Sequence, residues 1–558
     1  NIEPTNISLR IREWAMLHNI EHFAINNLLS ILKPDHPELP LDARTLLRTP
    51  KQINVKYVDP GIYYHFGIEH CVINLLLQNS NSITSNCIEL LINIDGLPIA
   101  KSSSSQLYPI LCSIFSISHV EIIGVYHGNA KPRDANVFLT DLVNDINNAV
   151  CNNIYYNTKK YFIKVKAFIC DAPAKSFITS IKGHSGYYSC TKCNEPGEFI
   201  NNRICFPNIN NLTLRSDNEF RRKHQEEHHI GTTILESIVD FDMIHCFPLD
   251  YMHVICLGVV KKLLMLWVYG NPSRKLSFNQ ISNISQSLLN VACNITTDFN
   301  RKPRSLDEVK RWKATEFRQF LLYSGPIVLK SVISHDRYMN FLSLHVATSI
   351  LCKSKYKKYL NYAKSLMYYF VKTFIVLYVF YGGDQVSHNV HNLLHICDDV
   401  ARFGTLDQFR AFKFENYLQL LKKLLKKPEK PLQQIIRRKY ELNNVPLHDT
   451  HLHSLPTLKK LHHLGPIINN ISFIAQYKEV QLNTFVLKTT EPDNCCYTVN
   501  NKVINVKNIL STTTGILLIA QEFLSLEDFY IKPCKLSFLG IYSAKNLGPL
   551  TLWRLDQI

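Results

Sequence analysis

At 558 residues, 46% of them hydrophobic and 19% charged, the chain is too long for one ordinary domain and too apolar to be disordered. Lysine and arginine (62) outnumber aspartate and glutamate (45) by 17, and 23 histidines can add positive charge near acids, a balance that favours polyanionic partners such as nucleic acid. Sixteen cysteines without a regular framework exclude a small disulfide scaffold and fit reduced thiols in the nucleus or cytosol.

The opening NIEPTNISLRIREW lacks the cationic start, apolar core and small-residue cleavage site of a secretory signal, and Asn1 suggests a fragment. From Ser8 to Leu32 two helix-period segments flank a break at Asn19, a pattern open to a helix-turn-helix-like unit or to plain packing. Residues 33–60 are Pro-bearing and loop-like. The most lipid-like run, LMYYFVKTFIVLYVF from Leu366 to Phe380, is too short to span a bilayer and carries Lys372, so a buried helix and no membrane partner are expected.

From Cys87 the alternation becomes informative. CIELLINIDG predicts a strand that reaches a turn at Asp95 and Gly96, LYPILCSIFSI a second strand and VEIIGVYHG a third. After Lys131 and Pro132, DANVFLTDLVNDINNAV has helical period, and YFIKVKAFIC is a fourth strand ending at Asp171. Three strands, a helix and a strand is the order that opens an RNase H-like fold, in which the first and fourth strands are neighbours. Asp171 by itself reads as the N-cap of the helix begun by APAKSF. Two acids at the ends of adjacent strands instead suit Mg²⁺, which keeps several waters and needs one or two carboxylates from each element. Two such ions would activate an attacking hydroxyl and stabilise a leaving oxygen in phosphodiester chemistry.

A third acid must come later in the chain. Between the CxxC of Cys190 and Cys193 and residue 385 lies a mainly helical, domain-sized stretch that reads as an insertion. Beyond it, Glu415 opens a helical segment rich in leucine and lysine. Glu316, in KATEFRQF, is the runner-up. His391 and His395 are four apart and would share a helix face, with His388 one turn earlier as a competitor. A Cys pair with a His pair makes a closed tetrahedral zinc site, although His228, His229, Cys246 or Cys256 are alternative partners for Cys193.

IDGLPIAKSSSSQLYPIL, VYHGNAKPRDANVFL, CDAPAKSFITSIKGHSGYYSCTKC and FPLDYMHVICLGVVKKLL together resemble the CACTA (En/Spm) type of DDE/D transposase and its animal relatives, over most of residues 85–440. The resemblance implies an α/β, RNase H-like catalytic core interrupted by a helical insertion, metal-dependent cut-and-paste DNA transposition, and Asp95, Asp171 and Glu415 as catalytic, metal-holding acids. More distantly, the chain is similar to the catalytic core of the V(D)J recombinase and its Transib relatives. That likeness implies one zinc held by Cys190, Cys193, His391 and His395. Asp250 to His253 (DYMH) resembles an acid-x-x-His element placed near the active site in related transposases, or reads as a capped helix start after Pro248. The basic run Lys422, Lys423, Lys426, Lys427, Arg437 and Arg438 is either a phosphate-gripping surface or a solvated helix face.

The expected organisation is an N-terminal helical segment (1–60), the first part of the core with the CxxC (85–200), a mainly helical insertion (201–385), the final part of the core with the His pair and third acid (386–445), and a small β-rich domain (476–558). The expected function is two-metal DNA strand cleavage and strand transfer with Mg²⁺ or Mn²⁺. Its alternative is a catalytically silent, transposase-derived DNA-binding or chromatin-associated protein. Expected partners are double-stranded transposon ends and target DNA, bound by a homo-dimer or higher oligomer in the nucleus.

Overall fold

Asp95 and Asp171 owe their placement to one strand pairing. In the computed structural model, which describes residues 7–80, 82–100, 102–377, 382–443, 456–469, 471–483 and 485–558, the chain divides into two compact units. Unit 1 comprises residues 1–194, 213–250 and 408–449; unit 2 comprises 195–212, 251–407 and 450–558.

Unit 1 is built on a mixed sheet. Its strands are β1 (Lys56–Val58), β2 (Gly61–His65), β3 (Cys87–Ile94), β4 (Leu97–Pro98), β5 (Gln106–Ile114), β6 (Glu121–Gly128), β7 (Ile154–Tyr156) and β8 (Lys159–Phe168). The order is β1-β2-β6-β5-β3-β8-β7, with β4 paired to β5. β3 runs antiparallel to β5, β5 antiparallel to β6, and β3 parallel to β8. The parallel register sets Ile92 opposite Phe168, and Asp95 and Asp171 each stand three residues further along. Two hydrogen bonds fix this end: Ile169 N–H donates to Ile92 O at 2.7 Å, and Asn93 Nδ2 donates to Ile169 O at 2.7 Å. The β1–β2 hairpin, which extends the sheet, falls partly in the stretch read as loop.

Helix α1 (Ile7–Leu17) and helix α2 (His22–Leu32) meet at Asn19, whose φ of 51° breaks the helical path, and α3 (Ala43–Leu47) closes a small core on them. Helix α4 (Ile68–Gln78) and helix α5 (Ala135–Asn152) bury Ile68, Cys71, Val72 and Leu75, and Phe138, Leu139, Leu142 and Ile146, at the three-to-four spacing of one helix face. Asp134 caps α5 through the Asn136 amide. Helix α6 (Ala172–Ile178) follows Asp171.

The last part of unit 1 is a helix pair, Phe412–Leu424 and Pro431–Asn443. The first buries Phe414, Leu418 and Leu421, worth about 1.5–3 kcal/mol each. Charge also anchors the pair to the sheet: Lys439 Nζ lies 2.5 Å from Glu121 at the start of β6, and both are buried.

Unit 2 combines helices, a two-stranded hairpin of Glu198–Ile200 and Arg203–Cys205, and an antiparallel C-terminal sheet. Met252–Tyr269 is apolar and long enough to span a bilayer by length alone, but 56% of it is buried. It begins with a wider helical winding over Met252–Val260, where a side chain at Gly258 would meet Asn389 at 2.6 Å. Glycine there admits the segment that carries the histidines. His335–Leu351 is buried on nearly every face, the mark of a central helix. The helix at Leu366 spans Leu360–Val376, and residues 378–380 of the aromatic run lie outside the described residues. The C-terminal sheet orders Thr457–His462, Ala475–Gln481, Val503–Thr512, Gly515–Glu527 and Ser543–Arg554.

Candidate metal centre

The acids come from three elements of unit 1. Asp95 closes β3 in the turn to β4, with Oδ1 accepting from the Gly96 amide at 2.7 Å. Asp171 follows β8 and caps α6, its Oδ1 accepting from Ala174 N–H at 2.7 Å. The local reading of Asp171 as an N-cap therefore holds. Glu415 lies in the first turn of Phe412–Leu424, and all three acids are half-buried.

Although 320 residues separate them, the carboxylates of Asp95 and Glu415 approach within 4.8 Å. Asp171 does not complete a set in which every carboxylate pair is that close. The Tyr108 phenol is raised above its ordinary pKa first by burial and then by the charges of Asp95 and Asp171. The buried Cys170 thiol is likewise pushed up, chiefly by burial, with both aspartates adding to the effect.

Glu415 is held there by contacts that reach far along the chain. Asp250, only 2% exposed, accepts from Ala411 N–H at 2.7 Å, so the acid of the DYMH element caps the Glu415 helix 161 residues later. Lys413 Nζ donates to Ser113 Oγ at 2.8 Å and Ile117 O at 2.9 Å, tying the same turn to the end of β5. Burial first, and the nearby Arg410, bring the Lys413 ammonium down to about 8. Lys413 carries no signal in sequence beyond its place in a basic segment.

The runner-up acid has a different environment. Glu316, in unit 2, is buried, accepts from Arg304 at 2.6 and 3.0 Å, and accepts from Lys313 N–H at 2.7 Å. Its charge is cancelled within the protein.

The zinc candidates form two pairs. In unit 1, Cys190 and Cys193 are fully buried with their sulfurs 3.5 Å apart, and Cys193 N–H points at the Cys190 sulfur at 3.4 Å. That separation is far beyond a disulfide bond and near the roughly 3.8 Å of two thiolates on tetrahedral zinc. Arg215 Nε donates to Cys190 O at 3.0 Å and steadies the turn. In unit 2, the Nε2 atoms of His391 and His395 face each other at 3.4 Å, near the roughly 3.3 Å of two imidazoles on one zinc. The His391 ring stacks on Phe206, with centroids 5.0 Å apart.

The two histidines do not share one helix, as the spacing alone implies they should. His391 lies in His388–Asn392, and His395 precedes Ile396–Phe403. Near-helical backbone at the junction keeps their rings together. His388 Nδ1 instead lies 3.2 Å from Asn392 Nδ2. Among the alternatives for the cysteines, buried His228 engages Tyr188 O through Nδ1 at 2.6 Å; burial, then Arg215, pushes its pKa down to about 3.

Residues 461–558 match the family model described as Domain of unknown function (DUF8592). No curated protein matches the chain. Among solved structures, the chain is similar to the Drosophila P element transposase strand transfer complex at 11% identity, over 80% of this chain and 93% of that one, with a TM-score of 0.41.

Proposed function

We propose that the chain is a DDE/D-type DNA transposase, or a domesticated derivative, whose Asp95, Asp171 and Glu415 hold two Mg²⁺ or Mn²⁺ ions on an RNase H-like core. The observation that carries this reading is the approach of the Asp95 and Glu415 carboxylates within 4.8 Å. At an effective dielectric of about 20, two such charges repel by about 3 kcal/mol. A proton or a cation relieves that repulsion, and oxygen ligands on rigid strand and helix ends suit a hard divalent cation. The β6-β5-β3-β8 order, with β8 parallel to β3, supports the RNase H-like assignment.

Bound cations would supply an activated hydroxyl and stabilise the leaving oxygen of a phosphodiester. The residues of the chain fix where that can happen. The β3–β8 register sets the two aspartates at one sheet edge, while Asp250 and Lys413 hold the first turn of the Glu415 helix. The CACTA-type resemblance extends the reading to strand transfer of a freed 3′-hydroxyl into target DNA. It also implies a nuclear protein that works as a dimer or higher oligomer on paired DNA ends.

One structural zinc joining Cys190 and Cys193 to His391 and His395 belongs to the same proposal. Its support is the ligand spacing within each pair. Such a site has no open position for water, and its binding free energy goes into folding. Elemental analysis should find about one zinc per chain, lost in both Cys190→Ser and His395→Ala; stoichiometric zinc in either variant would separate the pairs.

The alternative, a catalytically silent DNA-binding derivative, draws on the commitment of one Asp171 oxygen to the α6 cap. Incubating the purified chain with supercoiled DNA and Mg²⁺ or Mn²⁺ decides between them. The proposal expects nicking that is lost in Asp95→Asn. DNA binding without nicking under either cation would favour the silent derivative.

A further inference from the structure

The basic run beyond Glu415 is shaped into a groove together with a distant part of unit 1. Arg44, next to the N-terminus of α3, and Lys426, Lys427, Lys430, Arg437 and Arg438 line a groove of about 490 Å³. Glu441 lies beneath them, buried, with its charge answered by Arg438 at 3.0 Å, His22 at 3.4 Å and the Thr49 hydroxyl. Glu21 and Glu429 are the remaining acids of the lining. Arg44, Lys426, Lys427, Lys430 and Arg437 are exposed, and among the described residues none of the five forms an ion pair. Five cations against two acids leave the groove positive.

The lysines are also held in place. Gln434 stitches their loop with four hydrogen bonds: Oε1 accepts from the amides of Lys426 at 2.9 Å and Lys427 at 3.1 Å, and Nε2 donates to Lys427 O at 2.8 Å and Glu429 O at 2.7 Å. Lys430 then turns the chain with a φ of 48°, a left-handed conformation that a lysine adopts only where its surroundings enforce it. A lysine-bearing loop fixed in this way loses less freedom on meeting a ligand than a free one.

Its distance from the acids follows from helix geometry. Glu415 and Leu424 share one helix, and nine residues at 1.5 Å place the helix end about 14 Å from the acid. Leu424 itself lines the groove, which therefore begins about 14 Å from the acid, or about four base pairs at 3.4 Å per pair.

We infer that this groove grips the phosphodiester backbone of duplex DNA about four to six base pairs from the phosphate presented to Asp95 and Glu415. The inference rests on the DNA-cleaving reading for that distance, and on charge and geometry for the contact itself.

The test is equilibrium binding of a 30-base-pair duplex to the full chain across a salt series. A variant carrying Lys426→Glu, Lys427→Glu and Lys430→Glu should lose at least tenfold in affinity at about 0.1 M salt. Its log–log salt slope should shrink by about 2–3, at roughly 0.9 for each phosphate that is no longer neutralised. Gln434→Ala keeps every charge, so it should lose affinity a few-fold with an unchanged slope. Neutral methylphosphonates four to six base pairs from the nick should reproduce the loss in the wild type. Wild-type affinity and slope in the lysine variant would overturn the inference. Binding of inorganic tripolyphosphate with the same lysine dependence but no loss of duplex binding would also overturn it, making the groove a small-polyanion site. Nicking keeps the two readings apart: a wild type that never nicks, while the lysine variant still loses duplex affinity, defeats the catalytic reading and leaves the groove.

Discussion

Glu415 and Glu316 each stand in the first turn of a helix, each after an aromatic residue, and their surroundings are opposite. Glu316 is 4% exposed, and Arg304 binds it through two nitrogens while it accepts the Lys313 amide at its own helix start. Glu415 is half-buried, has no ion pair among the described residues, and faces a second carboxylate within 4.8 Å. A carboxylate whose charge the protein cancels serves the fold. One that faces a second carboxylate is where we place the proposed cation, and that contrast is open to direct attack.

The largest expected effect is on cleavage. Glu415→Gln and Asp95→Asn should each lower Mg²⁺-dependent nicking by at least about a thousandfold, equivalent to about 4 kcal/mol of barrier, with duplex binding retained. Because Glu415→Gln removes one of two repelling charges, it should not lower the thermal midpoint. Glu316→Gln should do the reverse, leaving nicking intact and costing about 2 kcal/mol in urea unfolding, since it weakens a charge-assisted pair at a buried site. Loss of nicking in Glu316→Gln at wild-type stability would exchange the two assignments.

Asp171 separates cap from catalysis within one side chain. Asparagine caps about as well as aspartate, so Asp171→Asn should lose nicking at near-native stability, while Asp171→Ala should lose nicking and about 1 kcal/mol as well. Equal activity of the asparagine variant and the wild type would confine Asp171 to the cap.

The smallest effect concerns pH. Burial alone would raise the Glu441 pKa, but hydrogen bonds from His22 and Thr49 and the charge of Arg438 outweigh it and hold the carboxyl below its ordinary value. A carboxyl depressed on folding stabilises above its unfolded pKa of about 4.3, and that stability is lost as pH falls through the folded value. Glu441→Gln should therefore be less stable than wild type near pH 7, with the gap closing below about pH 4 in acid-unfolding curves. A constant gap down to acid pH would contradict the pairing.

Local relations are legible in the sequence and long-range ones are not. β3 and β8 are apolar runs that stop at an acid, and their parallel pairing follows from the order of three strands, a helix and a strand. Glu415 is singled out only by the histidines that precede it and by the CACTA-type resemblance. The contacts that position it, Asp250 to Ala411 and Lys413 to Ser113, join residues 161 and 300 apart, and no local period reports such distances. The chain path defeats the helical reading of the histidines, because HNLLH looks continuous while the backbone tightens into three-residue turns between His391 and His395. The basic run is visible as charge. Its shape is not, because the clamp is a single glutamine and the opposite wall comes from Arg44.

The central claim is that Asp95 and Glu415 are poised for a divalent cation, and Mn²⁺ binding followed by electron paramagnetic resonance tests it most directly. Titrating the purified chain with Mn²⁺ in the absence of DNA should show bound ion in the wild type and in Glu316→Gln. Asp95→Asn and Glu415→Gln should each weaken binding at least tenfold. Equal Mn²⁺ binding by all four proteins, or loss of binding in Glu316→Gln alone, would contradict the account.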